Sequence, residues 1–212
     1  LKYNKYSYRY PPRPETQIPV SVLDSLEQQG LFIAQPKLNG SCMLLFTNGK
    51  EVIVMNRHKK PLAHKLDIEE LRSLYVRGSG EWMVLVGEYM NKNKKDETGK
   101  SWNHKFVIFD ILVYDGDYMV GTSFKFRSIL LEKLYPKSSI KKPYLSKISE
   151  NCYRVLSMVE GFKDIYDKIT IYDMYEGLVL KRIDGKLEMG TSPKNNTRTQ
   201  LKCRKPTKNY SY

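Results

Sequence analysis

The sequence predicts an α+β fold, mostly antiparallel sheets flanked by helices, and three features lead there. Strand-period and helix-period segments are segregated and lack the strict βαβ alternation of a parallel sheet. Asn48-Gly49 and Asp115-Gly116 are turn signals, and each follows an apolar or β-branched run that it can fold back on itself. Hydrophobic residues fill 41% of the 212 positions and charged residues 28%, enough apolar side chain for a real core.

Residues 1–19 are basic and aromatic, rich in Tyr, Arg and Pro, and are expected to lie extended over the body. In "PVSVLDSLEQQG" (19–30), Val22, Leu23 and Leu26 recur at helical spacing and Gly30 stands where the helix would end. "FIAQPKLNGSCMLLF" (32–46) is an apolar run carrying one cation, Lys37, with Asn39-Gly40 just after it. The better hairpin is "SCMLLFTNGKEVIVMNR" (41–57), where apolar residues flank the second Asn-Gly on both sides. "LDIEELRSLYV" (66–76) predicts a helix with Ile68, Leu71, Leu74 and Tyr75 on one face. "EWMVLVGEYMN" (81–91) and "HKFVIFDILVYDGDYMVG" (104–121) predict strands; "SFKFRSILLEKLYP" (123–136) and "SENCYRVLSMVEGF" (149–162) predict helices. The closing strands are expected in "KITIYDM" (168–174), "EGLVLKRIDGKLEM" (176–189) and "TQLKCRKP" (199–206). No repeat or low-complexity linker divides the chain, so one domain over 1–212 is expected.

The charge is out of the ordinary. Lys and Arg number 36 against 23 Asp and Glu, a net +13, which points to a polyanionic partner. Residues 181–212 hold nine basic and two acidic residues, including Lys181, Lys202, Arg204 and Lys208, and the run starts inside a strand-like segment. No apolar run approaches the ~20 residues of a membrane span, and the first residues lack an apolar signal core. Cys42, Cys152 and Cys203 are far apart without a CxxC pair and read as reduced thiols of an intracellular protein; neither they nor the three histidines have zinc-ligand spacing.

The usual phosphate and nucleophile motifs fail. "DETGKS" (96–101) ends like a phosphate-binding loop, but the required first glycine falls on Lys94 and a polar run precedes it where a buried strand is needed. No GxGxxG occurs, and three scattered histidines assemble no triad. What remains is a set of polar residues against strand-like runs: Lys37, Glu88 in "LVGEYM", Phe109 and Asp110 in "FVIFDIL", Glu176 and Lys181 in "YEGLVLKR", and Lys202 and Arg204 in "QLKCRKP". A lysine within an apolar run has the chemistry of a nucleophile. Its ordinary pKa near ~10.4 keeps it protonated, and burial with neighbouring cations lowers that value.

In order, K-x-N-G, G-E, F-D, E-G-L-V-L-K and L-K-C-R-K-P resemble the motif series of the covalent nucleotidyltransferase superfamily, which holds ATP-dependent DNA ligases, RNA ligases and mRNA capping enzymes. The resemblance runs over about residues 35 to 206, and five ordered motifs are jointly far more specific than any one. "RHKKP" with Arg57 resembles the arginine segment after the nucleophile, and "FKFRSILLEKL" the Arg-bearing helix that follows F-D in many DNA ligases. The resemblance implies a nucleotidyltransferase (ATP-grasp-like ligase) fold and an ATP-dependent polynucleotide ligase using ATP and Mg²⁺, with replication and repair as settings. Lys37 would accept AMP, Glu88 bind the ribose hydroxyls, Phe109 stack on the base and Gln35 read the adenine edge. Glu176 would serve the metal and lysine activation, Lys181, Lys202 and Arg204 the phosphates, and Arg57 the nucleotide or the nucleic-acid end. The implied partner is nicked duplex nucleic acid, DNA ahead of RNA because "FDILVYDG" and "FKFRSILLEKL" look more like the DNA enzymes; the sequence itself does not report oligomeric state, and a monomer is the expectation. RNA ligase, capping-type guanylyltransferase and a non-catalytic nucleic-acid-binding relative are the alternatives.

Three letters depart from the pattern. The usual Asp of the first motif is Asn39, the position five after the lysine is Cys42, and the second cation of the last motif is Arg204 in place of Lys. The sequence stops six residues after Pro206, before any oligonucleotide-binding (OB) barrel of the kind that follows in DNA ligases. A minimal enzyme, a piece of a longer one, or one borrowing that function elsewhere would each end so. The basic stretch 181–212 and Tyr3, Tyr6, Tyr8, Arg9, Tyr10 and Arg13 are expected to help grip nucleic acid, and the compactness suggests a phage or viral source.

Overall fold

The first strand pairings follow from where the chain can turn. The computed structural model describes residues 1–5, 7–76, 78–138, 141–142 and 144–206; Tyr6 and Lys208, named above, lie outside the described residues. In chain order its elements are β1 (Arg13–Gln17), α1 (Leu23–Gln28), β2 (Phe32–Leu38), β3 (Ser41–Thr47), β4 (Val52–Asn56), α2 (Ile68–Ser73), β5 (Met83–Tyr89), β6 (Phe106–Tyr114) and β7 (Asp117–Tyr118). They continue with α3 (Phe124–Leu134), β8 (Lys141–Lys142), β9 (Leu145–Lys147), β10 (Cys152–Val155), α4 (Phe162–Thr170), β11 (Tyr175–Arg182) and β12 (Asn196–Arg204). Among the described residues the strands form two sheets, β1-β12-β11-β2 and β4-β3-β5-β6-β10-β9-β8, with β7 paired to β6. The pairs are antiparallel except β1 with β12 and β6 with β10. The mostly antiparallel α+β expectation therefore holds.

Asn48-Gly49 turns β3 into β4, as its flanking residues predict. Asn39-Gly40 does not make a hairpin: β2 belongs to the first sheet and β3 to the second, so these two residues carry the chain across. Gly40 is required there because a Cβ would fall 2.4 Å from the Tyr89 carbonyl oxygen.

Alternation places the core. In the second sheet Met43, Leu45, Met83 and Leu85 point to one side and pack with Leu71 and Leu74 after α2 begins and Leu131 of α3. Leu44, Phe46, Val84 and Val86 point to the other side and join Tyr118 and Leu187, with Tyr3 and Tyr8 of the N-terminal segment laid over them. In the first sheet Ala34, Leu178 and Leu180 pack on Leu23 of α1 and on Phe162, Ile165 and Ile169 of α4. Glu27 of α1 clasps the start of α4 by accepting from the amides of Gly161 (2.9 Å) and Phe162 (2.7 Å), satisfying two donors a helix start leaves open.

Four expectations need correction. "SENCYRVLSMVEGF" is not a helix: Cys152–Val155 is an interior strand between β6 and β9, and all four residues are buried. A strand covered on both faces loses the alternation that would have identified it, and here even the charged Arg154 is buried, its guanidinium donating to the Tyr135 carbonyl at 2.6 Å. "KITIYDM" is not a strand: Lys168, Ile169 and Thr170 end α4 and a turn follows. Ile169 is 1% exposed and Ile171 74%, whereas one strand face would have buried both. Ile68 opens α2 in the open (42% exposed) while Leu71 and Leu74 are buried, and β11 stops at Arg182, seven residues short of the expected run.

Candidate active site

The period of two builds one wall. Across β2, β11 and β12 the residues fall into register as Lys37–Gly177–Arg204, Gln35–Val179–Lys202 and Ile33–Lys181–Gln200. Directly opposed residues share a face, so the strands collect Lys37, Gln35, Lys181, Lys202 and Arg204 on the side away from the α1–α4 core. Glu176 would point the other way in an unbroken strand. Between Tyr175 and Gly177 the register slips, two residues of β11 standing against one step of β2, and this bulge turns Glu176 toward the same side. Gly177 makes the bulge possible: its φ is +142° and a Cβ would lie 2.0 Å from the Cys203 carbonyl oxygen.

The second sheet supplies the facing wall. Cys42 and Glu88 are opposed in register and extend the face of Leu44 and Val86 beyond the core. Arg57 follows Asn56, which pairs with Met43, and so stands beside Cys42. Between the walls is a cavity of about 270 Å³. Gln35, Lys37, Arg57, Glu88, Phe109, Glu176, Lys181, Lys202 and Arg204 all line it, so the structure brings together all nine residues singled out from sequence. Arg13 and its prolines Pro11, Pro12 and Pro14 form part of the rim; sequence reading placed Arg13 only in a general basic segment.

Lys37 is ion-paired through Nζ to Glu176 Oε2, both partly buried. The amide of Asn39 has one orientation in which both atoms meet complementary partners: nitrogen toward Glu176 Oε1 at 3.2 Å, oxygen toward Lys94 Nζ at 3.0 Å. Glu88 accepts from the Gly40 amide at 3.0 Å. Burial pushes its carboxyl up to about 7, with the Lys37 charge opposing and the Glu176 carboxylate adding to the rise. Burial likewise pushes the Cys42 thiol up to about 12, which leaves it a poor nucleophile.

Lys181 is 3% exposed, donates to the Phe109 carbonyl at 3.2 Å and stands 5.0 Å from the Phe109 ring centre. Burial lowers it to about 8; Asp110, 4.0 Å away, opposes that fall and Arg127 adds to it. Asp110 is gripped by Arg127 of α3 through Nε (2.8 Å) and the second guanidinium nitrogen (3.2 Å). Burial alone would raise the Asp110 carboxyl, but Arg127 and Lys181 hold it below the ordinary value. The F-D motif and the Arg-bearing helix are thus one buried device beneath Lys181. Lys202 is lowered by burial and then by Arg204, Arg13 and Lys37, a crowd of like charges wanting an anion. Gln35 donates to Ser157 Oγ at 3.1 Å, which leaves its buried Oε1 unpartnered. Among the described residues no three His, Cys, Asp or Glu side chains gather as a metal cage, and no helix is long and apolar enough to cross a membrane.

A cavity with six cations, two carboxylates, a half-buried ring and an unpaired buried acceptor suits a nucleotide polyphosphate. Comparison with known proteins agrees. Residues 17–198 match the family model for the ATP dependent DNA ligase domain. No curated protein sequence matches the chain. Among solved structures, the ligase domain of M. tuberculosis LigD superposes with a TM-score of 0.65 at 17% identity, over 95% of this chain and 61% of that one. A mycobacterial DNA ligase D complexed with ATP and MES gives 0.64 at 18%, over 95% and 62%. The ATP-dependent DNA ligase of bacteriophage T7 in complex with ATP gives 0.56 at 14%, over 94% and 69%. These likenesses are of fold, and the chain spans less than two thirds of the length of the two mycobacterial structures.

Proposed function

The chain belongs to the ATP-dependent DNA ligase domain family, and from that premise we propose that residues 1–212 act as one adenylyltransferase domain that charges Lys37 with AMP and passes it to the 5′-phosphate of nicked DNA. The observation that carries the reading is the Lys37–Glu176 pair inside a cavity on which Arg13, Arg57, Lys181, Lys202 and Arg204 also converge.

ATP is held base inward. The Phe109 ring stacks on the adenine, the free Gln35 Oε1 accepts from its amino group, and the Glu88 carboxylate accepts from the ribose hydroxyls. Lys37 Nζ gives its proton to Glu176 and attacks the α-phosphorus. The N–P bond forms as the bond from that phosphorus to the bridging oxygen breaks, and pyrophosphate leaves. Lys181, Lys202, Arg204 and Arg57 neutralise the charge that builds on the phosphates. Magnesium ordinarily takes one or two carboxylates with substrate phosphates, so Glu176 with the nucleotide fits it, and the ion would add charge neutralisation there. The 5′-phosphate of the nick then attacks the same phosphorus and frees Lys37, and a 3′-hydroxyl displaces AMP to seal the strand. The DNA-ligase family model supports DNA over RNA as the strand.

Denatured protein should retain label after incubation with α-labelled ATP and Mg²⁺, lose it with Lys37→Ala, and take little label from GTP. A nicked DNA duplex should then be adenylylated or sealed in preference to nicked RNA. Label retained by Lys37→Ala would overturn the nucleophile; no label on the wild-type chain with either nucleotide would overturn the enzyme reading.

A further inference from the structure

The segment 90–105 between β5 and β6, which holds the "DETGKS" run rejected above as a phosphate loop, delivers a cation to the candidate site. Lys94 Nζ meets the Asn39 oxygen at 3.0 Å and Asp173 Oδ1 at 3.6 Å. Its place is fixed by the backbone: the Asn39 amide donates to the Met174 carbonyl (3.0 Å), the Met174 amide to that of Lys95 (3.2 Å), and the Trp102 amide to that of Lys94 (2.7 Å). Side chains lock the loop from outside. Lys142 bridges Asp96 (3.3 Å) and Glu97 (2.8 Å), and the Tyr175 hydroxyl donates to Glu97 at 2.8 Å, one residue before Glu176.

An ammonium can only donate. Facing Lys94, the Asn39 amide must therefore present its oxygen there, which commits its nitrogen to Glu176 Oε1. Glu176 is then held by a donor on one oxygen and by Lys37 on the other. An aspartate at 39, the usual letter of the motif, would set a second carboxylate against Glu176. Resting on the adenylylation reading above, we propose that Lys94 and Asn39 are positioning residues that orient the Glu176 carboxylate toward Lys37.

Other charges act on this pair. Glu88 faces it from β5, Arg57 from beyond β4, Lys202 and Arg204 from β12, Arg13 from β1, and Lys205 and Asp173 from the flanking turns. None of them is altered in Asn39→Asp or Lys94→Met, so a slower turnover at unchanged ATP binding reports the positioning. Both should lower the maximal rate of labelling by α-labelled ATP several-fold while KM for ATP stays close to the wild type. Lys94→Arg, which keeps the charge, should track the wild type. In the nucleotide-free protein, a crystal structure of Asn39→Asp should show the Glu176 carboxylate turned from its wild-type direction. Wild-type labelling rates and an unmoved Glu176 carboxylate in folded Asn39→Asp and Lys94→Met would overturn the positioning role while leaving the nucleophile intact. A wild-type chain that takes no label fails the function reading instead, and the direction of the Glu176 carboxylate in Asn39→Asp still decides the positioning role.

Discussion

Replacing Glu88 with glutamine should make this protein more stable and less active at once. Glu88 carries a carboxyl that burial has pushed from 4.5 to about 7. A carboxyl raised on folding binds more protons in the native state than in the unfolded chain between those values, so stability falls as the pH rises from 4.5 to 7. Each pH unit of displacement is worth about 1.4 kcal/mol, which puts an upper limit of about 3 kcal/mol on carrying the charge at pH 8. The side chain is only partly buried at an open cavity, and solvent screening brings the figure to about 1–2 kcal/mol. Glutamine is isosteric, carries no charge and still accepts from the Gly40 amide, which now donates at 3.0 Å. Urea unfolding of both proteins at pH 5 and pH 8 isolates the effect, because other titrating groups cancel in the difference. The variant should gain about 1–2 kcal/mol on the wild type between the two pH values, and its KM for ATP should rise through loss of the ribose contact. A stability difference unchanged from pH 5 to pH 8 would refute burial as the origin of the raised carboxyl.

Gly177→Ala puts a Cβ 2.0 Å from the Cys203 carbonyl oxygen at a φ of +142° and should cost roughly 3 kcal/mol or more; a melting temperature within a degree or two of the wild type would count against the bulge. Arg127→Met leaves the Asp110 carboxylate buried without its 2.8 Å partner, a loss of about 3–5 kcal/mol that urea denaturation would read; less than about 1 kcal/mol would show the pair is dispensable. Lys181 is depressed to about 8, so it discharges as the pH rises through that value, and KM for ATP should climb above pH 8. Lys181→Arg should flatten that limb, since guanidinium stays charged.

The candidate site was more legible in the sequence than parts of the scaffold, for a physical reason. Lys37, Glu88, Phe109, Glu176, Lys181, Lys202 and Arg204 are polar or aromatic letters against apolar strands, and a contrast of that kind shows in one dimension. Cys152–Val155 is the reverse case: all four residues are buried, Arg154 among them, so its one charged letter marks no open face and no alternation shows, and the strand is defined by its pairing with β6 and β9. Lys94 was hidden by composition, as one of five lysines between 92 and 105, and nothing local says which of them folds back to Asn39. Arg13 was hidden similarly, because its position depends on β1 lying parallel beside β12, a pairing 183 residues long in sequence. Asn39 itself looked like a damaged motif. With Lys94 beside it, the amide is the residue that can donate to Glu176 where aspartate could not.

The N-terminal residues have a practical bearing on anyone handling this chain. Tyr3 packs on Phe46, Trp82 and Tyr118, Tyr8 packs on Phe46 and Tyr10, and the strand that follows joins the other sheet. Those rings tie the N-terminal segment to the second sheet. The same ribbon crosses from one sheet to the other with Pro11, Pro12, Arg13 and Pro14 standing at the mouth of the cavity. It works as a seam closing two halves of a shell. Trimming it for crystallisation, or tugging on it with a bulky fusion, would unstitch a wall of the nucleotide chamber while leaving the central strands folded, and a preparation so made would pass a circular-dichroism check and still bind ATP poorly.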